Sequence, residues 1–203
     1  MRIETIDQLR EVLGHPNETT QAKIYSRLTA QAREFIGRSP LMIVATADRH
    51  GMPTASPKGD APGFVHVEGD DTLLIPERLG NKLASSFRNI LENPRVGLFF
   101  FVPRCVETLR VSGTAELLHD PTLAEQLKAM GKPALLTTRV RVTEAYFQCG
   151  KALIRSSFWK PESWPAECSI SFGREIGDNL GQDTAFASEL DARIQKRYCD
   201  SLY

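Results

Sequence analysis

The chain has 203 residues, 41% of them hydrophobic and 25% charged, which is the composition of a globular protein with one core. Its 25 basic and 25 acidic residues cancel, so no overall field attracts nucleic acid or an anionic membrane. No apolar run approaches the ~20 residues of a membrane-spanning helix. The charged N-terminal sequence MRIETIDQLREVLG lacks the pattern of a secretion signal. We therefore expect a cytoplasmic protein that holds any anionic ligand with a local cluster of cations.

The cysteines and histidines show no spacing that indicates a disulfide framework or a metal site. The four cysteines are widely spaced and form no C-x-x-C pair. The four histidines include no H-E-x-x-H motif. The sequence therefore predicts neither disulfide bonds nor a bound metal.

The first part of the chain is predicted to be helical. Thr5 and Gln8 have the spacing of a capping box, and apolar residues follow on one helical face until Gly14. A longer second helix is predicted to end near Gly37, because apolar residues recur at helical spacing before it. Its apolar positions are Ile24, Leu28, Ala32, Phe35 and Ile36.

From Leu41 onward the apolar pattern changes to that of β-strands. Residues 41–47 and 52–59 form a predicted hairpin around the turn sequence D-R-H-G. A second hairpin and a short helix follow, and then a buried strand over residues 96–102. Residues 108–117 alternate strictly between apolar and polar side chains, and residues 139–147 look like a last long strand. Beyond it we expect a helical turn from Lys151, loops up to Gly177 and a terminal helix.

These elements predict a mostly β fold with added helices. Five or six antiparallel strands with short loops favour a closed or nearly closed barrel. A Rossmann sheet is a poor fit, because strands and helices do not alternate regularly and no G-x-G-x-x-G or Walker A motif occurs. We expect one domain over residues 1–203, with a helical extension over 1–38, the barrel over 39–148 and a helical and loop-rich extension over 149–203.

Three segments carry groups that suit an anionic or flat ligand. The segment from Pro76 to Lys82 precedes a predicted helix, whose free N–H groups together with Arg78, Asn81 and Lys82 would attract a phosphate. A solvated helix start with ordinary surface cations is the alternative. The segment Ser56-Pro57-Lys58 ends a strand, where Pro57 limits regular pairing. A plain strand end with a surface lysine is the alternative there.

The third group of candidates lies in the second half of the chain. Glu107, Thr108 and Arg110 belong to the alternating strand. Lys151 and Arg155 are four residues apart, so a helix places both cations on one side, as an anion pocket or as a solvated face. Trp159 is a candidate for covering a flat ligand or for packing in a dimer interface.

The order of these motifs resembles that of the FMN-binding split β-barrels of the pyridoxamine 5′-phosphate oxidase superfamily. The resemblance rests on L-M-I-V-A-T with its D-x-x-G turn, S-P-K-G-D, I-P-E-R-x-G-N-K, N-P-R-V-G-L-F-F and E-T-L-R-V-S-G. It runs from about Ser39 to Ala115 and continues through Cys149 to Trp159. It is strongest to a branch of flavoproteins whose substrates are unassigned.

The resemblance implies a homodimer that holds FMN in a cleft at its interface. By position, Ser56, Pro57 and Lys58 would approach the isoalloxazine ring or the ribityl chain. The backbone of Ile75 and Pro76 would contact the cofactor, and Asn81 and Lys82 would contact its phosphate. Arg78 is added to this set for its charge alone. The remaining expected pocket residues, some of them from the partner chain, are Glu107, Thr108, Arg110, Lys151, Arg155 and Trp159.

The sequence also departs from the pattern of the vitamin B6 oxidases themselves. Those enzymes carry an arginine where this chain has Pro53, and another where it has Asn81. Their C-terminal R-x-H element is absent, since no histidine follows His119. The resemblance therefore implies an FMN-dependent oxidoreductase that acts on another small molecule, with no catalytic acid or base evident. The alternatives are a non-catalytic flavin-, haem- or deazaflavin-binding protein and a dimeric barrel without a cofactor.

Overall fold

A seven-stranded antiparallel sheet forms the centre of the computed structural model, which describes residues 2–166 and 168–203. The strands follow the order β2-β1-β5-β6-β7-β4-β3 across the sheet. Neighbouring strands pair antiparallel throughout. The strands are β1 (Leu41–Ala47), β2 (Pro53–Gly59), β3 (His66–Glu68), β4 (Thr72–Glu77), β5 (Arg95–Phe101), β6 (Thr108–Leu118) and β7 (Leu136–Gln148).

The sheet forms a split barrel that is not closed by backbone pairing. Strands β2 and β3 are its two edges, and among the described residues they share no strand pair. Side chains bridge the gap instead, because Lys58 of β2 contacts Glu77 of β4. The predicted mostly β, antiparallel split barrel is confirmed, with seven strands instead of five or six.

The core lies inside the curled sheet and under one N-terminal helix. The apolar side chains of alternate residues on β1, β5 and β6 point inward, as the period of a strand requires. Phe100, Leu109 and Val111 are among the fully buried residues, and Ala32 and Ile36 cover them from the helical side. Leu73 and Ile75 of β4 belong to the same core, whereas β2 contributes no buried side chain to it.

Eight α-helices surround the sheet in the described chain. They are α1 (Ile6–Leu13), α2 (Glu18–Ala22), α3 (Ala30–Arg38), α4 (Ser85–Glu92), α5 (Pro121–Gln126), α6 (Lys151–Arg155), α7 (Phe172–Leu180) and α8 (Thr184–Asp200). Helix α1 begins with the predicted capping box of Thr5 and Gln8. No described helix combines the length and the hydropathy that crossing a membrane requires.

The single long helix predicted before Gly37 is wrong. The chain instead forms α2 and α3, separated by an extended segment. Tyr25 in that segment exchanges two backbone hydrogen bonds with Ala145 of β7, at 3.0 and 2.8 Å. Thr29 then starts α3 by accepting a hydrogen bond from the backbone N–H of Ala32 at 3.1 Å. A tertiary contact therefore overrides the helical pattern of this segment.

The C-terminal part also differs from the prediction, because α7 begins at Phe172 and replaces the last part of the loop expected up to Gly177. Helices α7 and α8 pack closely at Gly173, where a Cβ atom would lie 1.9 Å from the carbonyl oxygen of Ala187. Asp191 of α8 accepts hydrogen bonds from the Ser171 hydroxyl at 2.5 Å and the Gly173 N–H at 2.7 Å. After α8 the chain returns to the barrel, where the Tyr203 hydroxyl donates to Asp60.

Candidate functional site

A cleft of about 580 Å³ opens beside the gap of the split barrel. The ends of β2 and β4, the loop over residues 78–84 and the start of α4 form its walls. Phe64, Phe87, Leu135 and Leu202 give it apolar surface, and Tyr203 lies at its margin. The cleft therefore combines apolar walls with a few polar and charged groups, as ligand sites commonly do.

The pleat of β2 directs alternate side chains toward α4. Thr54, Ser56 and Lys58 are half-buried, whereas Pro57 between them is exposed. The Ser56 hydroxyl lies 2.8 Å from that of Ser86 in the first turn of α4. Strand β2 therefore supplies a hydroxyl and an ammonium group to the same side of the cleft.

Lys58 does not present a free charge to the cleft. Its ammonium group contacts the carboxylate of Glu77 and lies 4.8 Å from the centre of the Phe87 ring. Glu77 is only 4% exposed, and its other carboxylate oxygen accepts a hydrogen bond from the Thr138 hydroxyl at 2.8 Å. The buried carboxylate of Glu77 thus neutralises the charge of Lys58. The sequence did not predict this ion pair.

A second cation–carboxylate pair lies beside the first. Arg78 donates from Nε to Asp60 at 3.2 Å and from Nη2 to the backbone oxygen of Leu127 at 2.8 Å. The Tyr203 hydroxyl donates to the other oxygen of Asp60 at 2.7 Å. The remaining nitrogen of Arg78, Nη1, is buried and has no partner among the described residues. Arg78 is therefore held in the wall of the cleft by internal contacts.

These contacts shift two pKa values in opposite directions. Burial alone would raise the pKa of Asp60, but hydrogen bonds from Tyr203, from the Ala61 N–H and from Arg78 lower it below its ordinary value. The same hydrogen bond raises the pKa of Tyr203, because ionisation would place two negative charges together. At neutral pH, Asp60 is therefore ionised and Tyr203 is a neutral donor.

The start of α4 differs from these two ion pairs, because no side chain caps its N–H groups. Ala84 precedes the helix with a φ of 55° and gives it no side-chain cap. Lys82 also has a positive φ, of 64°, and its exposed side chain forms no ion pair in the described chain. Asn81 accepts a hydrogen bond from the Leu83 N–H at 3.0 Å, which shapes the loop. Uncapped N–H groups and a nearby lysine are what an anion requires.

Most of the cofactor residues expected from the first hundred positions lie around this cleft. Ile75 differs in being fully buried in the core, and it does not line the cleft. The expected residues that line the cleft are Ser56, Pro57, Lys58, Pro76, Arg78, Asn81 and Lys82.

The expected residues from the second half of the chain lie outside the cleft. Thr108 is buried, and Arg110 donates to the Tyr146 hydroxyl at 3.2 Å on the outer side of β6. Trp159 packs on Phe158 and donates from its indole nitrogen to the backbone oxygen of Cys105 at 2.7 Å. The residues outside the cleft lining are Glu107, Thr108, Arg110, Lys151, Arg155 and Trp159.

The barrel segment matches a known protein family. The family model described as pyridoxamine 5′-phosphate oxidase matches residues 28–149, which is more than half of the chain and includes all seven strands. No curated protein matches the chain.

Several solved structures resemble this chain at low sequence identity. HupZ from Group A Streptococcus is 23% identical, with a TM-score of 0.49 over 60% of this chain and 94% of that chain. A putative pyridoxamine 5′-phosphate oxidase from Lactobacillus delbrueckii is 24% identical, with a TM-score of 0.47 over 60% of this chain and 95% of that chain. An FMN-binding protein from Syntrophomonas wolfei is 13% identical, with a TM-score of 0.45 over 57% of this chain and 82% of that chain.

Proposed function

The chain belongs to the pyridoxamine 5′-phosphate oxidase family, and we propose that it is an FMN-dependent oxidoreductase whose substrate is a small molecule. The observation that carries this proposal is the uncapped start of α4 beside Lys82, which has no ion-pair partner among the described residues, at one end of a cleft with apolar walls. This arrangement suits a ligand with a phosphate at one end and a flat, largely uncharged ring at the other. FMN has that form.

The phosphate end of the proposed site is assigned to the loop before α4. The N–H groups of the first helical turn and the ammonium group of Lys82 would donate charge-assisted hydrogen bonds to phosphate oxygens. The amide nitrogen of Asn81 is a further donor, because the side-chain oxygen is already used by Leu83. The residues present therefore fit a phosphate without help from Arg78, which is held by Asp60 and Leu127.

The ring end of the proposed site is assigned to the ends of β2 and β4. Ser56 and Lys58 would face the polar edge of the isoalloxazine ring, while Phe64 and Leu135 supply apolar contacts. FMN, when bound, supplies the transfer of two electrons or a hydride. The protein would hold the ring, exclude water and orient the substrate against it.

A homodimer is part of the proposal, because the outer face of the sheet near the cleft is apolar. Register places Ile43 beside Pro57 of β2 and Phe99 of β5, and Phe99 beside Arg110 of β6. A second copy on this face would exclude water from it. It would also bring Arg110 and the groups of α6 and Trp159 toward the cleft of the other protomer, which is the role that we propose for them.

A non-catalytic flavin-binding protein is the second candidate function. It is favoured by the state of the two carboxylates in the cleft, since Asp60 and Glu77 are both engaged in ion pairs and neither is poised as a proton acceptor. Reduction of the bound flavin by NADH or NADPH at a catalytic rate would exclude it.

An absorbance spectrum of the purified protein, before and after addition of FMN and removal of the excess, tests the proposal. We expect flavin bands in a ratio of one FMN per protomer. A protein that remains colourless after this treatment would contradict the oxidoreductase proposal, and a Soret band would point to haem instead.

A further inference from the structure

Glu77 is a buried acid at the end of the cleft formed by β2 and β4, and the proposed function assigns it no role. It is the last residue of β4, and its side chain is 5% exposed. Both oxygens of its carboxylate are engaged, one by the ammonium group of Lys58 and the other by the hydroxyl of Thr138. The acid is therefore oriented toward Lys58 and cannot turn to solvent.

The pair changes what the cleft attracts. Lys58 is 21% exposed at its side chain and would be a strong anion site if it were unpaired, because charges interact strongly where little water screens them. With Glu77 in contact, the two charges cancel at short range. The positive charge of Arg78 is neutralised in the same way by the carboxylate of Asp60. Among the described residues that line the cleft, Lys82 is then the cation without a carboxylate partner.

We infer that Glu77 determines substrate specificity by neutralising Lys58, so that a substrate placed against the flavin ring at the Lys58 end of the cleft is accepted when it is uncharged and rejected when it is phosphorylated or carboxylated. This inference rests on the proposed function, because it takes the Lys82 end to be filled by the phosphate of FMN. An anionic substrate would then have to separate Lys58 from a buried carboxylate, and that carboxylate would be left unpaired and would repel it. The substrate class is thus a small, uncharged molecule.

A purely structural role for the pair makes a different prediction. Lys58 and Glu77 join β2 to β4 across the gap of the barrel, so they also hold the cleft in shape. Glu77→Gln keeps the size of the side chain and a hydrogen-bond partner for both Lys58 and Thr138, but removes the negative charge. A structural role therefore predicts no change in anion binding in this variant, whereas a role in specificity predicts a gain.

Inorganic phosphate is the probe, titrated into the FMN-loaded protein and followed by calorimetry. We expect Glu77→Gln to bind phosphate at least tenfold more tightly than wild type, and the double variant Lys58→Gln/Glu77→Gln to return to the wild-type affinity. Glu92→Gln is the matched control, because it removes an acid paired with Arg49 outside this cleft and should leave phosphate binding unchanged. Equal phosphate affinity in wild type and Glu77→Gln would overturn the inference.

The double variant Lys58→Met/Glu77→Met provides a second test, because it removes both charges together and leaves no buried carboxylate unpaired. Since the two charges cancel in the wild type, we expect this variant to change the phosphate affinity of the FMN-loaded protein less than twofold. A clear loss of phosphate binding in it would show that Lys58 is an anion site in the wild type and would overturn the inference. The FMN content of each protein is measured first: a wild type that binds no FMN contradicts the proposed function, whereas normal FMN binding with the wrong phosphate affinities contradicts only the role of Glu77.

Discussion

The two ends of the cleft both carry cations, but they use them differently. At the end formed by β2 and β4, Lys58 and Arg78 are paired with Glu77 and Asp60. At the start of α4, Lys82 is exposed and lies beside uncapped helical N–H groups. The comparison teaches that a cluster of cations in a sequence does not by itself mark an anion site. A cation can bind an anionic ligand only when no buried carboxylate already forms an ion pair with it.

The largest expected effect concerns the paired end. Arg78→Met would leave the carboxylate of Asp60, with its side chain only 4% exposed, without its cation. Removing one partner of a buried ion pair typically costs about 3–5 kcal/mol. Unfolding in urea should therefore show a loss of that order. Arg139→Met is the matched control, because Arg139 pairs with Glu116 on the surface, and a loss of at most about 1 kcal/mol is expected there. Equal losses in both variants would contradict the buried role of Arg78.

A smaller effect is expected at the start of α4, where Lys82 lies, and it concerns FMN binding and not the stability of the fold. Lys82→Ala should weaken FMN binding by about 1–2 kcal/mol, because it removes one charge-assisted hydrogen bond to the phosphate. Its urea stability should remain that of the wild type, since the exposed lysine has no internal partner in the described chain. Lys196→Ala on α8 is the control, and fluorescence titration of FMN is the measurement. An unchanged FMN affinity in Lys82→Ala would show that the phosphate lies elsewhere.

The contact of Tyr203 with the paired end predicts a still smaller effect. Tyr203→Phe removes the hydrogen bond to Asp60 and should cost about 0.5–1.5 kcal/mol of stability. Thermal unfolding of the variant beside the wild type measures this cost. A melting temperature equal to that of the wild type would show that the C-terminal residues do not stabilise the wall of the cleft.

The lowered pKa of Asp60 determines how the stability of the fold depends on pH. An acid with a lowered pKa in the folded state stabilises the fold above its unfolded pKa of ~3.9, and this contribution is lost as the pH falls through the lower folded value. The stability difference between wild type and Asp60→Asn should therefore be constant from neutral pH down to about 5. It should then shrink at more acidic pH. A difference that grows on acidification would contradict the assigned ion pair.

The sequence predicted those parts of the molecule whose causes are local. The capping box of α1 and the hairpin of β1 and β2 both follow from neighbouring residues. The division between α2 and α3 could not be predicted, because it depends on Tyr25 pairing with the distant Ala145. Helix α7 was missed because its glycine-rich sequence is stabilised by α8, against which Gly173 packs closely.

The neutralisation of Lys58 in the candidate site could not be predicted either, because it also depends on a contact between distant residues. Lys58 and Glu77 are distant in sequence and lie on strands that are not neighbours in the sheet order. They meet only because the sheet curls. A glutamate that ends the apolar strand T-L-L-I-P-E was the available signal, since an acid at such a position needs a partner when it is buried. Tyr203 gave no such signal, because its contact with Asp60 depends on the path of the whole C-terminal part.

The central claim is that a flavin binds with its phosphate at the unpaired end of the cleft. Titrations of FMN and of riboflavin, which lacks the phosphate, test it most directly in wild type and in Lys82→Ala. We expect the wild type to bind FMN at least tenfold more tightly than riboflavin, and most of this preference to disappear in Lys82→Ala while riboflavin affinity stays unchanged. Equal affinities of the wild type for FMN and riboflavin would contradict the account.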